Sequence, residues 1–316
     1  MSATTTSGSP ALAPFHPLVR EWFERAFPAP TPAQERGWPA ITAGESSLIL
    51  APTGSGKTLA AFLWALNGLA AARLEGRPTE RVLYLSPLKA LNYDVERNLR
   101  APLAGIASAA ERAGIAAPEI SVAVRTGDTP QRDRQQMLRT PPDVLITTPE
   151  SLYLLLTSRG RDILGGVRAV IVDEIHAVAG TKRGTHLALS LERLERLVAD
   201  DGGRLQRIGL SATQRPLSEI ARFLGGQDAD GRPRAVTIVD AGAAKRLDLQ
   251  VIVPVDDMRE LGTGAPVPVE DLAELAGGES RTRSIWPAMY PELLDLVRAH
   301  RSTLIFVNNR RLAERL

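Results

Sequence analysis

One octapeptide, Ala51-Pro52-Thr53-Gly54-Ser55-Gly56-Lys57-Thr58, restricts this chain more than any other stretch. It follows the short apolar run Leu48-Ile49-Leu50 and opens a long segment with helical patterning. Strand, glycine-rich loop and helix form the context in which such a motif cradles nucleotide phosphates. Gly54 and Gly56 permit a tight turn and bring backbone N–H groups close to phosphate oxygens. The helix that starts near Lys57 adds its positive dipole end. Thr53 and Ser55 complete the loop. Lys57 supplies a compact charge for the β- and γ-phosphates, and the Thr58 hydroxyl a ligand for Mg2+. Only four lysines stand among the 38 Lys and Arg residues, so a lysine here is not background composition. A planar guanidinium would replace it poorly. The first motif position holds Ala51 rather than glycine, and a small residue still fits.

A second feature lies far along the chain. Ala169-Val170-Ile171-Val172 runs into Asp173-Glu174-Ile175-His176. An apolar, β-branched run that ends in two carboxylates reads as a buried parallel strand with acids at its C-terminal tip, where ligands of open α/β sheets gather. Asp173 is expected to hold Mg2+ and Glu174 to orient and deprotonate an attacking water. His176 has two readings: a link between the nucleotide site and its neighbours, or a cap on the following turn. Together the two features predict a protein that binds ATP with magnesium and hydrolyses it.

The rest of the chain alternates. Strand-like runs at 48–51, 82–86, 121–125, 144–148, 169–173 and 207–211 are separated by helix-like segments such as 59–74, 130–139 and 186–198. This predicts an α/β fold, a parallel sheet covered by helices on both faces. Residues 1–13 read as a disordered tail, 15–43 as helical with breaks at Pro28, Pro30 and Pro32, and 235–239 and 247–253 as two further strands. The sequence divides into a main domain over 14–240 and a connecting strand and linker or insertion over 241–290. A truncated start of a second α/β unit follows over 291–316, with a helix at 291–300 and a strand at 303–307. Such a lone unit cannot bury both faces of its strand without neighbours. The absence of cysteine excludes disulfides and cysteine-bound zinc. No apolar run approaches the roughly 18 residues of a membrane span. The Ser/Thr/Gly-rich start lacks the apolar core of a secretory signal, so a cytoplasmic location is expected. A net charge of only +2 does not by itself point to nucleic acid.

Further motifs follow the strands in order: Ser86-Pro87-Leu88-Lys89-Ala90-Leu91, Arg125-Thr126-Gly127-Asp128-Thr129, Thr147-Thr148-Pro149-Glu150-Ser151-Leu152 and Ser211-Ala212-Thr213. This set resembles the superfamily 2 DEAD/DEAH-box helicases. The wording of GKTLAAFLWAL at 56–66, LSPLKALNYDV at 85–95, the Asp173–His176 box and Gly180-Thr181-Lys182-Arg183-Gly184 is closer still to the large helicase-related (Lhr) family.

The resemblance implies a RecA-like nucleotide-binding domain followed by the start of a second RecA-like domain. It implies a helicase motor acting on DNA or DNA:RNA duplexes, with DNA repair as its setting, and with ATP and Mg2+ as cofactors. Its partner is a single-stranded DNA or RNA tracking strand. It matches Gln34, in Thr31-Pro32-Ala33-Gln34, to an adenine-reading glutamine, and Ser211 and Thr213 to the motif that couples hydrolysis to domain movement. It assigns backbone contacts with one nucleic-acid strand to Ser86, Lys89, Thr126, Gly127, Thr147 and Thr148. Arg125, Lys182 and Arg183 either add charge there or are solvated surface. The family's later motifs, including its arginine finger, and its C-terminal domains are not matched. The chain therefore reads as an N-terminal portion of a helicase, with an ATP-gated nucleic-acid-binding module as the alternative.

Overall fold

A computed structural model describes residues 9–212, 216–242, 248–253 and 286–314. The chain falls into two units, residues 1–244 and 245–316.

The first unit is built on seven strands: β1 (Ser47–Leu50), β2 (Arg81–Leu85), β3 (Val122–Arg125), β4 (Val144–Thr147), β5 (Val167–Val172), β6 (Gln206–Ser211) and β7 (Thr237–Asp240). Their order is β3-β4-β2-β5-β6-β1-β7, and every neighbouring pair runs parallel. The apolar runs feed both faces because side chains alternate along a strand. Ile49, Val82, Tyr84, Ile146, Ile171 and Ile208 enter one core, and Leu48, Leu50, Leu83, Leu85, Leu145, Val170 and Val172 enter the other. Helices α1 (Pro17–Ala26), α2 (Pro32–Thr42), α3 (Lys57–Leu74) and α4 (Lys89–Arg112) cover the first face. Helices α5 (Gln131–Arg139), α6 (Pro149–Leu156), α7 (His176–Ala179), α8 (Lys182–Asp200) and α9 (Leu217–Gly225) cover the second. The expected parallel sheet with helices on both faces is present.

Local signals place the helices. Pro17 and Pro32 occupy first turns, where a missing N–H costs nothing. His16 Nδ1 accepts the Leu18 N–H at 3.3 Å and so caps α1. Helix α3 is apolar on nearly all sides and is accordingly buried on most of them, from Ala60 through Leu66 to Ala72. The aromatic rings of Phe15, Phe23 and Trp38 meet edge to face, and Trp38 Nε1 donates to Ala60 O at 3.0 Å, tying α2 to α3.

Four expectations change. The tail does not extend to residue 13: Pro10–Leu12 form a turn of 3-10 helix, and Leu12 is buried in the first core, because an apolar side chain next to a free core face gains more by burial than its short segment loses in entropy. In the second unit, α10 (Trp286–Ala299) starts before Pro291 and carries that proline inside it. Residues 303–307 form no strand, and 248–253 form none either. Among the described residues of that unit none is buried, so its extended segments lack the ladder partners a strand requires. Helix α11 (Arg310–Ala313) follows, capped by Asn309 Oδ1 on the Leu312 N–H at 3.0 Å. Much of the expected linker lies outside the described residues.

Candidate nucleotide-binding site and its neighbouring loops

The phosphate loop joins the C-terminal end of β1 to the first turn of α3. Gly54 and Gly56 adopt φ values of +79° and +80°, the left-handed region that the tight turn needs and that a Cβ would resist. The leading N–H groups of α3 have no partner within the helix and remain available to an anion. Ser55 Oγ is buried without a hydrogen-bond partner. Lys57 is 6% exposed and its Nζ donates to Ala51 O at 2.7 Å, which folds the ammonium back over the loop. Thr53, Gly54, Gly56, Lys57 and Thr58 line a cavity of about 370 Å3. Its far wall is α4, through Val95, Asn98, Leu99 and Pro102, and Glu174 closes it.

The acidic turn owes its shape to one unusual residue. Glu174 has φ +44°, a left-handed conformation that a non-glycine residue adopts at a cost. Asp173 N–H donates to Leu85 O at 2.8 Å, which carries the β2–β5 ladder one residue further. The Asp173 carboxylate is nearly buried. Its Oδ1 accepts the Glu174 N–H at 2.9 Å and its Oδ2 accepts the Tyr84 hydroxyl. Burial pushes the Tyr84 phenol well above its usual range, and the neighbouring carboxylates add to this, so Tyr84 is a donor.

His176 is joined to both sides. Its Nδ1 accepts the Ala212 N–H at 3.3 Å and lies 3.3 Å from Ser211 Oγ. A ring nitrogen that accepts from a backbone N–H carries no proton, so the hydrogen of the neutral ring is on Nε2. Nε2 lies 3.4 Å from Glu174 Oε2. The ring thus bridges the end of β6 to the Glu174 carboxylate in the cavity. Thr213 lies outside the described residues.

Gln34 reaches the same site from α2 but is 3% exposed. Its Oε1 accepts the Thr31 N–H at 2.9 Å and its Nε2 approaches Gly56 O at 3.4 Å. The amide therefore braces the phosphate loop, and a Cβ on Gly56 would come within 2.8 Å of Nε2.

The remaining expected residues cluster apart, at the ends of β2, β4 and β3. Their hydroxyls turn inward. Ser86 Oγ donates to Leu88 O at 3.3 Å, Thr126 Oγ1 accepts the Asp128 N–H at 3.3 Å, and Thr147 Oγ1 donates to Arg125 O. Thr148 Oγ1 caps α6 through the Ser151 N–H at 3.4 Å. All four residues are buried, whereas Gly127 is exposed. Lys89 is the first residue of α4, and its side chain lies outside the described residues. Arg183 braces these loops: Nε pairs with Glu150 at 2.7 Å and Nη2 donates to Pro87 O at 2.8 Å. Burial alone would raise the Glu150 carboxyl, but the hydrogen bond and charge of Arg183, with a backbone N–H and the Thr148 hydroxyl, together outweigh it and hold the group below its usual range.

The model of the DEAD/DEAH box helicase family matches residues 31–221, the stretch that carries every group described above. The chain belongs to the DEAD/DEAH box helicase family. Within it, the chain is 55% identical to the Lhr helicase/probable uracil glycosylase of Mycolicibacterium smegmatis over 99% of its own length and 19% of that protein's. It is 46% identical to the ATP-dependent helicase Lhr-Core protein 2 of Thermococcus barophilus over 94% of its length and 32% of the relative's. The chain thus spans about a fifth to a third of these relatives. Among solved structures, the Mycobacterium smegmatis helicase Lhr bound to ssDNA and AMP-PNP matches with a TM-score of 0.75 and 54% identity, covering 96% of this chain and 35% of that one. The DEAD-box helicase Mss116, at 15% identity and a TM-score of 0.59, shares the fold.

One residue at this site escaped sequence reasoning. Tyr84 contacts Asp173, and its one signal was a phenol in the otherwise aliphatic run Val82-Leu83-Tyr84-Leu85. Arg183 was read as added charge or solvated surface, and its partners, Glu150 and Pro87 O, come from two distant segments. No helix among the described residues is long and apolar enough to cross a membrane.

Proposed function

We propose that the chain is the ATP-driven motor portion of a nucleic-acid helicase. It would bind ATP and Mg2+ in the cavity between the phosphate loop, α4 and the acidic turn, and hold one DNA or RNA strand along the loops after β2, β3 and β4. The observation that carries this reading is the placement of Glu174 in the phosphate-loop cavity, with His176 joining it to the end of β6.

The donor set suits Mg2+, which is usually held by one or two carboxylates with phosphates and water rather than by an all-protein cage. Among the described residues there is no group of three or more His, Cys, Asp and Glu able to hold a metal, while Thr58 and Asp173 offer one hydroxyl and one carboxylate. Thr58 and Asp173 would hold the ion, which would supply charge neutralisation at the phosphates. Lys57 leaves Ala51 O for a phosphate oxygen, and the loop N–H groups and Ser55 complete the cradle. Glu174 orients a water and takes its proton. His176 Nε2–H holds the Glu174 carboxylate, so a shift of Ser211 and Ala212 alters its aim, which is the coupling role of this segment together with Thr213. Beyond its bonds to Thr31 and Gly56, Gln34 keeps one N–H and one Oε1 lone pair for adenine, so base recognition and loop geometry share one amide.

On the nucleic-acid side, the inward hydroxyls of Ser86, Thr126, Thr147 and Thr148 hold the loops in shape. Gly127, Lys89 and the first N–H groups of α4 and α6 then meet the phosphates, contacts that position a strand without reading its sequence. The complex of the M. smegmatis relative with ssDNA and AMP-PNP supports this reading. Relatives whose names join helicase to uracil glycosylase support DNA repair as its setting.

The test is steady-state ATP hydrolysis with and without single-stranded DNA, with Lys57→Ala as the blank, and strand displacement measured separately. DNA-stimulated turnover above the blank is expected. Equal turnover by Lys57→Ala and the parent would refute the site. DNA-dependent ATP binding without turnover or displacement would leave the gated binding module.

A further inference from the structure

Strand β2 carries one polar atom into a core that has no general use for it. Tyr84 is fully buried between α3 and the sheet, on the same face as Val82. Its ring stacks on Phe62 of α3, with centroids 4.8 Å apart and planes 24° from parallel. Phenylalanine would fill this space as well and would bury no hydroxyl. A buried phenol needs a hydrogen-bond partner, and the one it has is Asp173 Oδ2.

The pairing follows from sheet register. Tyr84 lies opposite Ile171 on β5, two residues before Asp173, and Leu85 O accepts the Asp173 N–H at 2.8 Å. One short segment of β2 thus fixes the acid at its backbone and at one carboxylate oxygen, while the Glu174 N–H fixes the other oxygen at 2.9 Å. Each oxygen accepts one bond and keeps one further lone pair for another partner. A metal-binding carboxylate held by outer hydrogen bonds gains affinity because its geometry is set before the ion arrives.

We propose that Tyr84 is a positioning residue that holds the Asp173 carboxylate in the orientation required for Mg2+ bound with nucleotide; this rests on the reading of Asp173 as the metal's carboxylate. The hydroxyl acts and the ring packs, so the two roles separate by substitution. Tyr84→Phe removes only the hydroxyl, and Val82→Ala, two residues earlier in the same core and outside the phosphate-loop cavity, loosens only the packing.

The experiment titrates the 316-residue chain with Mg2+ in the presence of a fluorescent N-methylanthraniloyl ATP, and repeats the nucleotide titration in EDTA. Tyr84→Phe should raise the Mg2+ concentration for half-maximal nucleotide binding by about 10-fold or more, the range found for lost outer partners of metal ligands. Its binding in EDTA should equal the parent's. Val82→Ala should lower the unfolding midpoint and leave the Mg2+ requirement of the folded protein unchanged, which a purely structural role for Tyr84 would not produce. An unchanged Mg2+ requirement in Tyr84→Phe overturns the proposal, as does an equal loss of binding in EDTA. Asp173→Asn separates the two levels. If it keeps the parent's Mg2+ requirement, the reading of Asp173 fails and Tyr84 falls with it. If it loses that requirement while Tyr84→Phe keeps it, only the Tyr84 proposal falls.

Discussion

Glu174 shows what a single residue contributes here. Its φ of +44° turns the side chain into the cavity two positions after a strand end, where an extended backbone would carry it elsewhere. His176 then holds the carboxylate from the far side with its Nε2 at 3.4 Å. Glu174→Gln keeps the size and the turn but cannot accept a proton from water. Turnover is expected to fall by about 10²- to 10⁴-fold, the range for a lost general base, while nucleotide stays bound. Single-turnover hydrolysis beside equilibrium nucleotide binding measures both, and near-parental turnover would remove Glu174 from the base role. Lys57 and the two left-handed glycines were legible from spacing alone, because chemistry close to a phosphate restricts residue type. Tyr84 was not legible, because its role depends on which strand lies next to β2.

At the scale of elements, several polar side chains act as clamps between segments far apart in sequence. Arg207 on β6 is 1% exposed; it pairs with Glu192 and Glu195 on α8 and donates to Leu224 O and Gly225 O at the end of α9. Gly184 lets α8 approach α7 so closely that a Cβ there would lie 2.1 Å from Val178 O. Asp143, just before β4, accepts from Ser121 N and Oγ at 2.8 Å, from Arg73 at 2.9 Å and from Thr79 at 3.0 Å, which ties β4 to β3 and α3. Burial would raise the Asp143 carboxyl, but these hydrogen bonds together hold it below its usual range. A carboxyl lowered by folding contributes stability above its unfolded value, about 3.9. That contribution is lost as pH falls through the still lower folded value. Asp143→Asn should therefore cost about 2 kcal/mol near neutrality, as expected for lost charge-assisted bonds, and the gap to the parent should close below roughly pH 4. Urea unfolding midpoints at pH 7 and in acid measure it, and a gap independent of pH would show that charge is not what the clamp uses. None of these clamps was read from the sequence, since each joins charges whose proximity only packing creates.

Over the whole molecule, the order β3-β4-β2-β5-β6-β1-β7 sorts the motifs that the chain presents interleaved. The phosphate loop, the acidic turn and Ser211 follow β1, β5 and β6, which are consecutive in the sheet. The loops proposed to hold nucleic acid follow β2, β4 and β3, which are consecutive on its other side. Both sets stand at the C-terminal ends of parallel strands, where open α/β sheets bind ligands. Every described residue lining the nucleotide cavity belongs to the unit formed by residues 1–244. A chain of those residues alone should bind the fluorescent ATP analogue with Mg2+ as tightly as the 316-residue chain, measured by the same titration; a large loss would show that residues 245–316 contribute to the site. The sequence by itself determined the class of fold, because two-sided burial demands continuous apolar strands, and it marked the glycine-lysine loop and the acidic pair as candidates by their spacing at strand ends. Only the tertiary structure decided that Gln34 braces the loop, that the strand-end hydroxyls face inward and that Tyr84 grips Asp173. Those contacts arise from sheet order and burial, which bring together residues that the sequence keeps tens of positions apart.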